Sequence, residues 1–138
     1  MKGAQIGDAS GRIISTRILP PEENEIVMEI TFDGEGTLLN VPMKDIGTCK
    51  LTFRADGVIE ASDGHVAFFG RKGETARLKA FGVGKAHGTM PAARYVSCGV
   101  FETMAACWKS LNSVAAISEF HVHEDGSYRV ATWELFVD

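Results

Sequence analysis

The protein has 138 residues, of which 45% are hydrophobic and 23% charged, and its formal net charge is −4. A chain of this length can bury a hydrophobic core without help from disulfides or metal ions, so we expect a single domain over residues 1–138. The mild negative charge and the lack of a Lys/Arg run argue against a nucleic-acid surface. The chain starts without the apolar stretch of a secretion signal and has no run long enough to cross a membrane as a helix, so we expect no membrane contact.

The cysteine content indicates a reducing compartment. Cys49, Cys98 and Cys107 are odd in number and widely spaced, which suits neither a disulfide framework nor a zinc site. Reduced thiols that serve as small core residues are the simplest interpretation. We therefore expect a cytoplasmic protein.

A period of two in hydrophobicity predicts β-strands. In the clearest stretch, residues 24–38, Met28, Ile30 and Phe32 lie on one face while Glu29 lies on the other. A strand sends alternate side chains to opposite faces, whereas a helix would scatter these residues around its axis. A sheet with one buried face and one solvent-exposed face is typically antiparallel.

Turn residues divide the chain into eight predicted strands. Pro20-Pro21-Glu22-Glu23 ends the first, Asn40-Val41-Pro42 bends the chain, and Asp56-Gly57 and Asp125-Gly126 suit tight hairpin turns. The segment 105–113 has room for one or two helical turns. The predicted strands are 3–19, 24–39, 43–54, 58–70, 75–87, 93–104, 114–124 and 127–137.

Short connections predict that strands adjacent in sequence pair in space. Eight long strands in an open sheet would leave two exposed edges, and closure removes them. The fold class is therefore predicted to be all-β, a closed eight-stranded antiparallel meander barrel. Glycines inside strands fit this prediction, either as barrel corners or as points where a ligand approaches the backbone. These glycines are Gly34, Gly36, Gly47, Gly64, Gly82, Gly84 and Gly99.

Several short motifs give the sequence a family resemblance. They are Gly34-Glu35-Gly36-Thr37-Leu38, Asp56-Gly57, Gly82-Val83-Gly84, Gly99-Val100-Phe101-Glu102-Thr103, Glu124-Asp125-Gly126 and Trp133-Glu134. With these motifs the chain resembles a bacterial family of small uncharacterised proteins that is similar in fold to the allene oxide cyclase barrel. The resemblance implies a closed eight-stranded meander. The plant cyclases bind a fatty-acid epoxide in an apolar cavity, so it also implies an apolar interior and chemistry of isomerase or cyclase type. It carries over no catalytic residue.

Glu102 is the sharpest candidate for a catalytic residue. On its predicted strand it shares a face with Val96 and Val100. A carboxylate on an apolar face can have a raised pKa and act as a general acid or base. The alternative, which we favour, is an ion pair with Arg94 or Arg129 or a place at the rim.

His121 and His123 form a candidate arm of a metal site. Their spacing puts both imidazoles on one strand face. A site needs at least a third ligand from another strand, for which Glu134 and Glu102 are the nearest candidates. We favour a solvent-facing polar stripe, because the opposite face of the strand is already completely apolar. No metal or other cofactor is predicted.

Two further patterns are weaker. Asp63 and His65 share a predicted face with Ala61 and could form a histidine–carboxylate dyad, but no nucleophile accompanies them, and a surface pair is the better interpretation. Gly82-Val83-Gly84-Lys85 lacks both the spacing and the following helix of a phosphate-binding loop.

The last three strands are apolar on both faces. One face packs in the barrel core, so we expect another subunit or another segment of the chain to cover the other face. If Phe136 points inward, Trp133 and Leu135 point outward and join Val100 in an apolar patch. Soluble monomers rarely expose such a patch, so we expect a homodimer or higher homo-oligomer. The competing cover is the 105–113 segment folded over the same wall.

Three functions are compatible with these sequence features. The leading hypothesis is a small barrel that binds a small apolar ligand in its interior, as a binding protein or an isomerase or cyclase. The alternatives are an oligomeric interaction module with a packed core, and a metal-dependent enzyme that uses His121 and His123. A cavity of roughly 300 Å³ or more favours the first, a filled core the second and bound metal the third.

Overall fold

The computed structural model of the protein describes residues 2–135, so the predicted orientation of Phe136 lies outside the described residues. The strands are β1 (Lys2–Glu22), β2 (Glu25–Leu38), β3 (Val41–Phe53), β4 (Val58–Gly70), β5 (Thr75–Ala86), β6 (Ala93–Thr103), β7 (Ala115–Val122) and β8 (Ser127–Leu135). A 3-10 helix, Ala106–Ser113, joins β6 to β7. Described strand ends lie within three residues of the predicted ones.

Each strand pairs antiparallel with its neighbours in sequence, and β1 pairs with β8 to close the barrel. The predicted fold class is confirmed. No helix among residues 2–135 is both long and apolar enough to span a membrane.

The first strand corrects one prediction. The break predicted at Pro20-Pro21-Glu22-Glu23 is present, but β1 does not end at residue 19 as predicted, because it continues through both prolines to Glu22. The last residue of β1 in the ladder with β8 is Arg12, so the rest of the strand has only β2 beside it. Proline is tolerated on such a free edge, where its missing N–H removes no ladder bond.

Two hairpin turns contain no glycine. Glu23-Asn24 and Leu39-Asn40 each have positive φ at both positions, as a two-residue type I′ turn requires. The second bend therefore comes before Val41 rather than at Asn40-Val41-Pro42 as predicted. The predicted turns at Asp56-Gly57 and Asp125-Gly126 are confirmed, with Gly57 at φ 87° and Gly126 at φ 86°.

Two hydrophobic clusters fill the barrel, one towards each end. The lower cluster includes Leu38, Phe68 and Phe101, and the upper cluster includes Ile59 and Val122. Alternate side chains of every strand point into the barrel, where they pack against one another. The core therefore forms within one closed sheet and needs no second sheet or helical layer.

The 3-10 helix closes the lower end of the barrel. Trp108 and Leu111 are 0% and 1% exposed and belong to the lower cluster. The Trp108 indole Nε1 donates a hydrogen bond of 2.8 Å to the Leu38 carbonyl. The helical turns are thus confirmed, but this segment plugs the barrel end and is not the cover over the outer wall.

The strand glycines mark close contacts inside the barrel. A Cβ on Gly47 would lie 2.5 Å from the Phe32 ring, and one on Gly34 would lie 2.6 Å from the Tyr128 hydroxyl. Real Cβ atoms do not approach that closely, so both positions need glycine to let the interior aromatic rings pack.

Candidate ligand cavity

A cavity of about 120 Å³ lies between the two clusters. Its lining is mainly apolar and includes Ile30, Leu78 and Phe101. The volume is below the roughly 300 Å³ of an ordinary ligand pocket, but a cavity of about 150 Å³ accepts benzene. The polar side chains in the lining are Asp8, Thr37, Asp45, Thr48, Cys49, Tyr95, Ser97, Ser118 and Thr132.

Asp45 is the buried carboxylate of this lining. It lies on the inward row of β3, paired in register with Gly34, and is 5% exposed. Within residues 2–135 its Oδ1 has no hydrogen-bond partner. Burial raises the pKa of Asp45 to about 6, an increase limited by backbone N–H groups and the Tyr128 hydroxyl. A carboxyl group with this pKa can donate or accept a proton near neutral pH.

Tyr128 stands beside this carboxylate from the inward row of β8. It is 1% exposed, and its hydroxyl has no partner of good hydrogen-bond geometry among the described residues. Burial raises the pKa of Tyr128, and the negative charges of Asp45 and Asp33 raise it further. The phenol therefore stays protonated and can donate a hydrogen bond. The unpaired acceptor Asp45 Oδ1 thus belongs to the cavity lining, whereas the Tyr128 hydroxyl lies beside the carboxylate and outside the lining.

The other polar groups of the lining are less reactive than Asp45. Ser118 and Thr132 hydrogen bond to each other across β7 and β8 at 2.8 Å. Burial raises the pKa of Cys49 to about 12, which keeps its sulfur a neutral thiol rather than a nucleophilic thiolate. Burial also raises the pKa of Tyr95. Asp45 is the only carboxylate among the described residues that combines burial below a tenth exposure with a place in this lining.

Asp45 is not among the residues predicted from the sequence. The signal was present: Met43, Asp45, Gly47, Cys49 and Leu51 form one alternating row in which Asp45 is the charged member. Glu102 is likewise the charged member of an apolar row, but that row faces outward. A period of two identifies a row but not the side of the wall that it faces.

Glu102 lies on the outer wall of the barrel, away from the cavity. As expected it shares a face with Val96 and Val100, but that face is exposed, at 47% and 56% for the two valines. The Glu102 carboxylate pairs with Arg77 of β5 rather than with Arg94 or Arg129.

His121 and His123 also face outward, with ring centroids 5.5 Å apart. His121 Nε2 accepts a hydrogen bond of 2.8 Å from Arg94 Nε. No group of three His, Cys, Asp or Glu side chains within residues 2–135 is arranged to hold a metal ion. Glu134, predicted as a possible third ligand, belongs to the row of Thr132, which faces the barrel interior.

The grouping of Asp63 and His65 with Ala61 is wrong. A register shift lies between Ala61 and Gly64, and Asp63 within it has a φ of 50°. The bulge changes the alternation, so Ala61 lines the cavity whereas His65 is exposed.

The outer wall of β5–β8 carries a contiguous row of apolar side chains. Phe81 pairs with Cys98, Cys98 with Ile117, and Ile117 with Trp133. Val100 and Leu135 lie in the adjoining row, on either side of Ala115. We call this surface the outer apolar band; its members are Phe81, Val83, Val96, Cys98, Val100, Ala115, Ile117, Ala131, Trp133 and Leu135.

Solved structures share this fold at low sequence identity. A protein of unknown function from Clostridium acetobutylicum has a TM-score of 0.81 and 13% identity, covering 99% of this chain and 100% of that one. A β-barrel-like protein from Acinetobacter baumannii has a TM-score of 0.79 and 12% identity, covering 99% and 96%. An enzyme from Penicillium herquei has a TM-score of 0.66 and 17% identity, covering 99% and 96%.

No family model and no curated protein matches the chain. The chain is therefore similar in fold to uncharacterised bacterial β-barrel proteins.

Proposed function

We propose that the barrel binds a small, mainly apolar molecule in its interior and holds that molecule's polar group against Asp45. The observation that carries this proposal is a mostly apolar cavity lined by Asp45, whose buried Oδ1 has no hydrogen-bond partner among residues 2–135. Leaving a buried polar atom unpaired costs about 1–3 kcal/mol, and a ligand that donates a hydrogen bond to Asp45 Oδ1 removes this cost.

The cavity limits the size of the ligand. A volume of about 120 Å³ suits a molecule close to benzene or phenol in size. The long chain of a fatty-acid epoxide would need a wider interior, so a plant-cyclase substrate is not proposed.

Chemistry of isomerase or cyclase type is an extension of this proposal. Such reactions move a proton, and Asp45 has a pKa of about 6 that suits a general acid or base. The family resemblance to the allene oxide cyclase barrel and the fold shared with an enzyme from Penicillium herquei support the extension. A cytoplasmic location is proposed with it, supported by the free thiols of Cys49, Cys98 and Cys107.

Binding is tested with phenol and toluene, which have the same shape but differ in one hydroxyl group. In a titration followed by NMR, we expect both probes to shift cavity signals and phenol to bind more tightly. Asp45→Asn should reduce the advantage of phenol, and Ala61→Leu, which fills the cavity, should abolish binding of both. Ala67→Leu on the outward face of the same strand is the control.

A packed interaction module gives a different result. Neither probe would then bind, and Ala61→Leu would change stability without any effect on ligand titrations. That outcome would overturn the proposed function. Native mass spectrometry of protein purified from its own host then reports a resident molecule directly.

A second copy of the chain is proposed as the partner of the outer apolar band. Trp133, Leu135 and Val100 belong to this band, and the 3-10 helix lies at the barrel end instead of over it. The rows beside the central Phe81–Trp133 row differ in charge: one carries Lys2 and Lys79, the other Asp8 and Glu119. Lys2 and Glu119 pair within one chain, so Lys79 and Asp8 are the charges left to pair between copies.

A two-fold axis along the central row would set the basic row of one copy against the acidic row of the other. This arrangement meets the requirement that a symmetric interface be self-complementary. We expect Trp133→Glu to give monomers in sedimentation velocity without unfolding. Ile46→Glu, an outward residue on β3, should leave the assembly intact. A wild-type protein that is monomeric at high concentration would overturn the interface.

A further inference from the structure

We propose that the outer wall near the upper end of the barrel binds a doubly charged oxyanion, a phosphate or sulfate group. The site is the cationic row, which we define as Lys85, Arg94, His121 and Arg129. The register pairs Lys85 with Arg94, Arg94 with His121, and His121 with Arg129. Four consecutive strands thus present a cation or an imidazole at one level.

The cationic row destabilises the folded sheet unless an anion neutralises its charge. Like charges opposite each other on adjacent strands destabilise a sheet. Among residues 2–135, no acidic side chain forms an ion pair with Lys85, Arg94 or Arg129, although five other basic residues of the chain are paired. The concentration of positive charge is notable in a protein whose net charge is −4.

The surroundings of the row form a surface groove of about 930 Å³. Arg94, His121 and Arg129 line it together with Ser10, which follows Arg129 in the register. The lining also contains Asp8, Glu35 and Glu119, of which Glu119 pairs with Lys2. Adjacent strands lie about 4.8 Å apart, so two long arginine side chains can converge on one anion above His121.

His121 makes this site sensitive to pH. Its Nε2 accepts the hydrogen bond from Arg94 Nε, so His121 is neutral in this arrangement. Partial burial and then the nearby positive charges lower the pKa of His121. Protonation breaks the bond to Arg94, which frees the guanidinium and adds a charge. The titratable and charged groups around His121 are Lys85, His87, Arg94, Glu119, His123, Glu124, Asp125 and Arg129.

An anion stabilises the protonated imidazole, so binding takes up a proton and tightens as pH falls through the pKa of His121. Sulfate is the suitable probe because its charge stays constant between about pH 5 and 8. We expect amide signals of the cationic row to shift saturably with sulfate at constant ionic strength. Arg94→Gln and Arg129→Gln should each weaken binding about tenfold, as expected for a lost charge-assisted hydrogen bond.

Two controls separate a specific site from a general charge effect. Lys79→Gln removes a cation from the same wall and should leave sulfate affinity unchanged. His121→Gln should reduce the pH dependence, whereas His65→Gln, which changes an exposed histidine of β4, should not. Equal weakening by Lys79→Gln and Arg94→Gln, an unchanged pH dependence in His121→Gln, or no saturable binding would each overturn the proposal.

The source of the oxyanion is distinguished with phenyl phosphate and inorganic phosphate at one pH. Tighter binding of phenyl phosphate supports a phosphorylated organic molecule, and equal binding supports the free anion. Loss of both in Arg94→Gln is expected in either case. The result is independent of the interior cavity, because Asp45→Asn leaves the outer wall unchanged.

Discussion

Side chains of the same kind have different environments inside the barrel and on its outer surface. Trp108 is 0% exposed and hydrogen bonded inside the barrel, whereas Trp133 lies half-buried on the outside with the Lys2 ammonium 3.8 Å above its ring. Asp45 is enclosed and its pKa is raised, whereas Glu102 is exposed and paired with Arg77. The side of the wall, more than the residue type, therefore decides what a side chain contributes.

The largest expected effect comes from the two tryptophans. Trp108→Ala removes the plug of the lower end and should lower the free energy of unfolding by about 3–5 kcal/mol. Trp133→Ala should cost much less, because its ring already contacts solvent. Both values are measured by urea denaturation below the concentration at which the protein associates. Equal losses would contradict the distinction between the two faces.

The second effect is the pH dependence that Asp45 produces. The pKa of Asp45 is raised from 3.8 to about 6 in the folded protein, so the folded state binds the proton more tightly than the unfolded state. The resulting stability is fully present below pH 3.8 and is lost as pH rises through about 6. The difference corresponds to about 3 kcal/mol.

Asp45→Asn should remove this pH dependence. The free energy of unfolding of the variant, relative to wild type, should therefore increase between about pH 4 and 7. Asp63→Asn, an exposed carboxylate on β4, is the matched control and should follow wild type. Parallel curves for wild type and Asp45→Asn would show that the carboxylate is solvated.

A smaller effect is expected from the hydrogen bond between Ser118 and Thr132. Ser118→Ala leaves the Thr132 hydroxyl buried without its partner and should cost about 1–3 kcal/mol. Thr132→Val added to Ser118→Ala should recover part of this loss, because neither side then carries an unpaired polar group. A double-mutant cycle by urea denaturation measures the coupling, and strict additivity would argue against the bond.

The smallest effect is expected on the outer wall. Glu102→Gln breaks an exposed ion pair with Arg77, and such pairs contribute little to stability. The free energy of unfolding should change by less than about 0.5 kcal/mol. A loss comparable to that of Ser118→Ala would mean that Glu102 is covered in the protein as it exists in solution, for instance by a second copy.

The sequence alone determined the strand pattern of this protein. Alternation with period two, interrupted by turn residues, predicted eight strands and a closed meander, because a strand's side chains must alternate and a long open sheet leaves edges unpaired. It also predicted that Trp133, Leu135 and Val100 belong to one apolar surface. Connections were predicted at Pro20-Pro21-Glu22-Glu23 and Asn40-Val41-Pro42. The turn residues themselves, Glu23-Asn24 and Leu39-Asn40, were missed because they reach positive φ without glycine.

Only the tertiary structure decided which row faces inward. Rows containing Asp45 and Glu102 look alike in sequence, since each places one carboxylate among apolar residues. The bulge at Asp63 reversed the alternation locally, and the 3-10 helix entered the barrel end instead of covering its wall. Strand period is a local property of the backbone, whereas the inward side depends on how all eight strands curl and close.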